Sequence, residues 1–340
     1  MASSLEPQIA PGVSPADACG SVPAMTRIRI AVLDDYQGVA QQSADWERLD
    51  AEIEFFGEPL GPEGVVVSRL ADFDVVVAMR ERTPCPRTLL ESLPRLRLLV
   101  TTGMRNAAID LEAAVDAGIT VCGTPSPGHA TAELTFALVL SLSRGLVEEI
   151  ASVRSGGWQS GLGRDVRGAT LGVIGLGRLG AQVAGFGKAF GMNVVAWSQN
   201  LTPERTAEVG VELVDRETLF ADSDFVTVHL KLSERSTGLI GAEEIALMKP
   251  TAFLVNTSRA PIVEAEALLD AVRSGRIAGA AVDVFDVEPL PDDHPIRSEP
   301  RILATPHIGY VTAETYRIFY EAAVEDIEVW RDGAPTRVLT

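Results

Sequence analysis

Three short polar stretches gather groups able to do chemistry: Asn256-Thr257-Ser258-Arg259-Ala260-Pro261, Val282-Asp283-Val284-Phe285-Asp286-Val287-Glu288-Pro289 and Thr305-Pro306-His307-Ile308-Gly309. Each follows a short apolar run that reads as a buried strand, so each is placed beyond a strand's carboxyl end, where open parallel sheets hold their ligands. A histidine such as His307 can give a proton to an oxygen that gains charge, and a carboxylate such as Glu288 beside it would orient the ring and favour imidazolium. A guanidinium such as that of Arg259 clamps a carboxylate by charge-assisted bonds, which a lysine does less well. Each residue alone also has a plainer reading: a solvated arginine, a helix-start glutamate, a loop histidine. Their joint placement after successive strands favours a shared site.

A fourth stretch, Thr170 to Gly180, runs from the apolar Leu171-Gly172-Val173-Ile174 into Gly175-Leu176-Gly177-Arg178-Leu179-Gly180 and then a helical pattern reaching Phe190. The glycines permit a sharp turn, close approach to a pyrophosphate and tight packing of helix on strand, while the helix start offers free N–H groups and partial positive charge. A lone glycine motif is weak, but strand, glycines and helix stand here in the required order. Gly175, Gly177, Arg178, Leu179 and Gly180 are the expected dinucleotide contacts. After the next strand, Asn193–Trp197, the acid that usually meets the ribose hydroxyls is missing, and Ser198-Gln199-Asn200 stands in its place. Ser198, Gln199, Asn200 and Thr202 offer hydrogen bonds, and Arg205 is the only nearby cation, facing either a phosphate or solvent. The cofactor is therefore NAD or NADP.

The elements that must position these groups alternate along the chain. Apolar runs at Ile28–Leu33, Ile53–Phe56, Asp74–Ala78, Leu96–Thr101 and Ile119–Cys122 are separated by segments of helical spacing, such as Leu89-Leu90…Leu93 and Leu111…Ala114-Val115. Further runs follow the glycine motif at Phe225–Leu230, Ala252–Asn256, Ile277–Val282 and Arg301–Ala304, with helical segments such as Glu264–Ser274 between them. The pattern is α/β, with two doubly wound parallel sheets. Within the first half, the loop Thr101-Thr102-Gly103-Met104-Arg105-Asn106 is either a plain turn or a source of N–H groups for a substrate carboxylate, at Gly103, Met104 and Arg105. Arg80 and Arg82, in the loop Met79-Arg80-Glu81-Arg82, are candidate aids to anion binding. Ala130 to Arg154 reads as one long apolar helix after a Pro/Gly loop, buried at the crossover between domains or between subunits. His129 and Glu133 at its start read as capping or structural groups, His229 as structural and His294 as surface.

Composition bounds the rest. The chain has 340 residues, enough for two domains, with 46% hydrophobic and 22% charged residues. No apolar run reaches the roughly 18 to 20 residues that span a bilayer. A formal charge of −18 argues against a nucleic-acid surface and requires any acid-binding site to carry its own cations. Cys19, Cys85 and Cys122 are odd in number and far apart, which fits reduced thiols in the cytoplasm, and the four histidines show no metal-ligand spacing. Met1 to Ala24 lacks Lys and Arg and is rich in Pro, Ser, Ala and Gly, so residues 1–26 read as a disordered extension, with Met25 a candidate natural start.

With the glycine motif and the order of the three polar stretches, the chain resembles the D-isomer-specific 2-hydroxyacid dehydrogenase family from about residue 27 to residue 340. The resemblance implies a Rossmann cofactor domain, 127–306, inserted into a flavodoxin-like substrate domain, 27–126 and 307–340, with the helix Ala313 to Arg331 folded back onto the latter. It implies Arg259, Glu288 and His307 as the catalytic trio for hydride transfer between a nicotinamide and a small 2-oxo or 2-hydroxy acid, with Arg259 also binding the substrate. It puts Asp283 on the nicotinamide amide, Ser198, Leu230, Thr257 and Ser258 along the cofactor, and two chains in a homodimer. Two departures stand out. Ala260 replaces a common glycine, which would strain a left-handed backbone by roughly 1 kcal/mol, and Tyr310 stands where smaller residues are frequent, so it is expected to set substrate size. That no regulatory domain follows Thr340 weakens the resemblance to an allosteric phosphoglycerate dehydrogenase. Other readings on this scaffold are oxidation of formate or phosphite, and dinucleotide sensing by a co-repressor-like binding protein.

Overall fold

The computed structural model describes residues 27–340. The expected N-terminal extension, with Cys19 and Met25, lies outside the described residues.

The first sheet consists of β1 (Arg29–Val32), β2 (Glu52–Phe55), β3 (Val75–Ala78), β4 (Leu98–Thr101) and β5 (Thr120–Gly123), all parallel in the order β2-β1-β3-β4-β5. The second consists of β6 (Thr170–Ile174), β7 (Asn193–Trp197), β8 (Glu212–Leu213), β9 (Phe225–Val228), β10 (Phe253–Asn256), β11 (Gly279–Val282) and β12 (Ile302–Ala304), in the order β12-β11-β10-β9-β6-β7-β8. Parallel strands covered on both faces read as continuous apolar runs, and β3 and β4 are buried at every position. The two-residue β8 is too short to leave such a pattern in the sequence.

Strand order reverses between β6 and β9, which makes the crevice at their carboxyl ends the expected ligand site. Register levels the neighbouring ends: Asn256 pairs with Val282, and Val282 with Ala304. Residues 257–259, Asp283 and Thr305 therefore leave the sheet along one edge.

The C-terminal helix Ala313–Arg331 returns to the first sheet. Its Tyr316, Phe319, Tyr320, Val324 and Ile327 share a core with Ile30, Val32, Val75, Val77, Leu98 and Val100. Burying each large apolar side chain contributes roughly 1.5–3 kcal/mol, so this amphipathic face is enough to dock the helix. The last residues extend the same sheet: Gly123 N–H donates to the Arg337 carbonyl and Leu339 N–H to that of Val121.

The expected helix from Ala130 to Arg154 is two helices, Ala130–Arg144 and Leu146–Arg154, broken at Gly145 with φ 57° and ψ 40°. A left-handed residue ends the first helix and redirects the chain. The first buries Ala132, Phe136, Leu138 and Val139, whereas the second buries none of its residues. Among the described residues no helix is long and apolar enough to cross a membrane, and no cluster of His, Cys, Asp and Glu has the arrangement of a metal site.

Candidate active site

The glycine turn is built by close approach. Gly175 has φ +93°, and a Cβ there would lie 2.7 Å from the His229 carbonyl oxygen across the strand switch and 2.8 Å from Leu230 Cδ2. A Cβ on Gly180 would lie 2.0 Å from the Gly175 carbonyl oxygen, whereas one on Gly177 would meet nothing within 4 Å. The helix Arg178–Ala189 starts at Gly177 with no side-chain cap, so its first N–H groups face that open space. A turn closed by two glycines and open at the third fits the pyrophosphate of a dinucleotide. Leu179 is half-buried on the first turn. Arg178 lies against Gly128, and Gln182 Nε2 donates to the Gly128 carbonyl at 3.2 Å, so the helix start is tied to the crossover loop.

After β10 the backbone folds into an Asx turn, in which Asn256 Oδ1 accepts from Ser258 N–H at 3.0 Å and Asn256 Nδ2 donates to the Arg259 carbonyl at 3.0 Å. The neighbouring hydroxyls are engaged inward: Thr257 Oγ1 with Thr135 Oγ1 at 2.7 Å, and Ser258 Oγ with the Val228 carbonyl at 2.7 Å. Arg259 is thereby projected from the sheet edge. Its Nη1 donates to the Ser258 carbonyl at 2.7 Å, and its Nη2 meets Glu81 Oε1 at 2.9 Å, across from the loop after β3. Ala260 lies in the 3-10 turn Ala260–Ile262 and outside the left-handed region, so the missing glycine costs nothing.

After β12 the chain makes a tighter turn, with His307 at φ 52°. The Asp283 carboxylate holds it. Oδ1 accepts from Thr305 Oγ1 at 2.6 Å and from Ile308 N–H at 2.8 Å, and Oδ2 accepts from Gly309 N–H at 2.8 Å. Burial pushes Asp283 above the usual carboxylate range, against these bonds and the nearby His307 charge. His307 Nδ1 lies 2.6 Å from Glu288 Oε2, while Glu288 Oε1 accepts from Phe285 N–H at 2.9 Å. Desolvation raises the Glu288 carboxyl, but the bond to His307, the His307 charge, the Phe285 N–H and the Arg259 charge together hold it below its ordinary value. His307 Nε2 makes no hydrogen bond to the described residues, and His307 lines a cleft of about 1150 Å³ with Glu288, Tyr36 and Arg82, whose lining does not include Arg259 or the glycine turn.

The first sheet supplies the opposite wall. Tyr310 stands edge-on to His307, ring centroids 5.7 Å apart, with the Arg82 and Arg80 guanidinium carbons 5.6 Å and 5.9 Å from its centroid. Arg82 Nη1 donates to the Asp34 carbonyl at 2.7 Å, so this cation is fixed in place. In the loop after β4, Gly103 has φ +89°; its N–H is spent on Thr124 Oγ1 at 2.8 Å, and the Arg80 guanidinium covers it. Met104 and Arg105 are exposed, with no hydrogen bond to Arg259 or His307.

The structure thus brings Glu288 and His307 into contact, sets Arg259 near enough to act on Glu288, and places the glycine turn at the same sheet edge. Sequence reasoning missed Glu81 as the partner of Arg259 and Asn256 as the organiser of its loop. The second had a local signal, an Asn two residues before a polar turn residue. The first had none, because its partner is 178 residues away. His129 makes no side-chain cap, whereas His294 Nδ1 caps the turn Pro295–Ser298. His229 is half-buried, and desolvation of its ring pushes the imidazole down to about 4, so it is neutral near pH 7.

A Rossmann sheet with a glycine turn at its switch point, beside an imidazole–carboxylate pair on a deep cleft, defines a nicotinamide-dependent oxidoreductase. The family model described as D-isomer specific 2-hydroxyacid dehydrogenase, NAD binding domain, matches residues 136–309. Over 293 residues the chain is 37% identical to the glyoxylate reductase of Thermococcus litoralis, covering 83% of this chain and 88% of that one. It is also 37% identical over 267 residues to the D-3-phosphoglycerate dehydrogenase of Methanocaldococcus jannaschii, covering 77% of this chain but 51% of that longer protein. The crystal structure of a phosphoglycerate oxidoreductase from Vibrio cholerae superposes with a TM-score of 0.86 at 36% identity, over 90% of this chain and 100% of that one. The chain belongs to the D-isomer-specific 2-hydroxyacid dehydrogenase family, and is an NAD(P)-dependent oxidoreductase acting on 2-hydroxy or 2-oxo acids.

Proposed function

We propose that the chain reduces small 2-oxo acids of the glyoxylate and hydroxypyruvate class, with Arg259, Glu288 and His307 as its catalytic residues. The observation that carries this reading is the 2.6 Å contact between His307 Nδ1 and Glu288 Oε2, which leaves Nε2 as the ring nitrogen without a partner among the described residues. The bound dinucleotide supplies the hydride. Arg259 clamps the substrate carboxylate, with Glu81 keeping the guanidinium in place until the acid arrives. His307 Nε2 donates the proton to the keto oxygen as charge develops there, and Glu288 fixes the ring for that transfer. Asp283 positions His307 through the Thr305 hydroxyl before it and the Ile308 and Gly309 N–H groups after it. Tyr310, edge-on to His307, and Arg82 crowd the space beside the imidazole, which favours short acids over bulky ones. The similarity to glyoxylate reductases supports the same choice.

In this reading 127–306 is the cofactor domain, 27–126 with 307–340 is the substrate domain, and the backbone at Met104 and Arg105 helps receive the carboxylate, while Gly103, its N–H bonded to Thr124, only shapes the turn. The protein works as a cytoplasmic homodimer. Support for the dimer is the uncovered apolar face Leu146, Val147, Ile150 and Val153, 43–56% exposed, continued by Trp158 at 75% and Leu162 at 99%. Support for a reducing compartment is that Cys85 and Cys122 are buried free thiols, pushed up to about 12 and about 11 chiefly by burial. Light scattering on the eluted protein should return twice 36.2 kDa.

The reaction is tested by loss of reduced-cofactor absorbance with glyoxylate, hydroxypyruvate, pyruvate and longer 2-oxo acids, using NADH and NADPH in turn. Turnover should be fastest with the two- and three-carbon acids. Tight cofactor binding without turnover of any acid would contradict the reading and point to a dinucleotide sensor.

A further inference from the structure

The end of β7 carries residues that the proton and hydride chemistry does not use. A Rossmann unit selective for NAD ordinarily ends this strand with Asp or Glu, whose carboxylate accepts from the ribose hydroxyls and repels a phosphate on the 2′ oxygen. Here the three positions after Trp197 are Ser198, Gln199 and Asn200, and none is charged. Ser198 is half-buried beside the glycine turn, whose Gly175 N–H donates to the Trp197 carbonyl at 2.9 Å, and its hydroxyl makes no hydrogen bond to the described residues. Gln199 and Asn200 are exposed.

Arg205 is an independent observation at the same place. From the helix Pro203–Val209 its Nε donates to the carbonyl of Leu176, inside the glycine turn, at 3.1 Å. A solvent-facing arginine would not turn back onto that loop. Its Nη1 meets Glu208 Oε2 at 2.9 Å, with the glutamate 65% exposed, and Nη2 has no partner among the described residues. The other nearby acid, Glu204, is exposed as well. Charges so exposed are screened by salt and water, whereas Arg205 is held against the loop by its bond to the backbone. Thr202 Oγ1 caps the helix by accepting from Arg205 N–H, which fixes the start of the helix that carries Arg205.

We infer that the chain takes NADP(H) in preference to NAD(H), with Arg205 and Ser198 forming the subsite for the 2′-phosphate of the adenosine ribose. Arg205 supplies a cation already ordered on the glycine turn. Ser198, Gln199 and Asn200 supply neutral donors in place of a repelling carboxylate. Resting on the dinucleotide site of the proposed function and not on its acid chemistry, this subsite can be tested without turnover.

The full chain, free of substrate, is titrated by calorimetry with NADPH and NADH, and with adenosine 2′,5′-bisphosphate and AMP. NADPH and the bisphosphate should each bind at least about tenfold tighter than their counterparts, the scale of one charge-assisted contact. Arg205→Ala should remove most of that preference while leaving NADH affinity within about twofold, and Ser198→Asp should invert it. Should the alanine variant not fold, Arg205→Gln, which can still reach the Leu176 carbonyl but carries no charge, makes the same comparison. Equal or tighter binding of NADH by the unmodified chain would overturn the subsite. So would an Arg205 variant that weakens both dinucleotides equally, since Arg205 would then only brace the turn. Selective NADPH binding with no turnover of 2-oxo acids removes the proposed reaction and keeps the subsite; NADH selectivity with rapid turnover does the reverse.

Discussion

Two turns at the edge of the second sheet solve opposite problems. The turn after β6 must let a ligand approach the backbone, and it does so by omitting side chains: Gly175 takes φ +93° without penalty, and Gly177 leaves open space. The turn after β12 must present a side chain, so its left-handed residue is His307, at φ 52°. That conformation costs about 1–2 kcal/mol for a residue with a Cβ. The offset is the buried Asp283 carboxylate, which accepts from Thr305, Ile308 and Gly309. Where the backbone recognises, the turn carries its own geometry. Where the proposed mechanism needs a reacting side chain, a distant carboxylate holds the geometry against its preference.

This contrast can be broken from either side. The largest effect should come from Asp283→Ala, which frees the turn and leaves the Ile308 and Gly309 N–H groups without their acceptor. It should lower kcat by about a hundredfold and unfolding free energy by about 2–4 kcal/mol, read by steady-state rates and denaturant titration. Unchanged kcat in a folded variant would show that His307 holds its place without Asp283. Gly180→Ala attacks the other turn, since its Cβ would meet the Gly175 carbonyl oxygen. Overpacking there should cost about 1–3 kcal/mol and weaken dinucleotide binding about tenfold or more, with kcat at saturating cofactor reduced far less.

A smaller effect isolates what complete pairing of a buried carboxylate is worth. Asp326, on the C-terminal helix, is as buried as Asp283, but only its Oδ1 is bonded, to Thr336 and Arg337, and Oδ2 has no partner. Burial outweighs the Arg337 bond and charge and pushes its carboxyl up to about 6. A carboxyl raised above its unfolded value stabilises the fold most below that value, near 3.8, and the contribution is lost as pH rises through about 6. Asp326→Asn should therefore flatten the fall in melting temperature between pH 5 and pH 7, a difference of about 1 kcal/mol. A slope that persists in the variant would assign that pH dependence to other groups.

The two turns were also unequally legible in the sequence. The strand, glycines and helix start of the glycine turn lie within eleven positions and could be read in order, although Trp197, Arg205, His229 and Leu230 also touch it. His307 and Glu288 stood out by residue type and by family resemblance, but the bonds that place them join residues 19 to 26 apart. Glu81 faces Arg259 from the other sheet, and its loop drew attention only for its arginines. The apolar run continues past Gly145, so the sequence reads as one helix where the chain forms two. Apolar residues imply a covered face without saying what covers it, and Leu146, Val147, Ile150 and Val153 are uncovered within one chain.

The most direct test is His307→Ala, with kcat for NADPH-dependent glyoxylate reduction and the NADPH dissociation constant measured on the same preparation. A loss of at least about a hundredfold in kcat, with the dissociation constant unchanged within about twofold, is expected if His307 supplies the proton and the glycine turn holds the dinucleotide independently. Retained turnover in that variant, or loss of cofactor binding together with turnover, would contradict it.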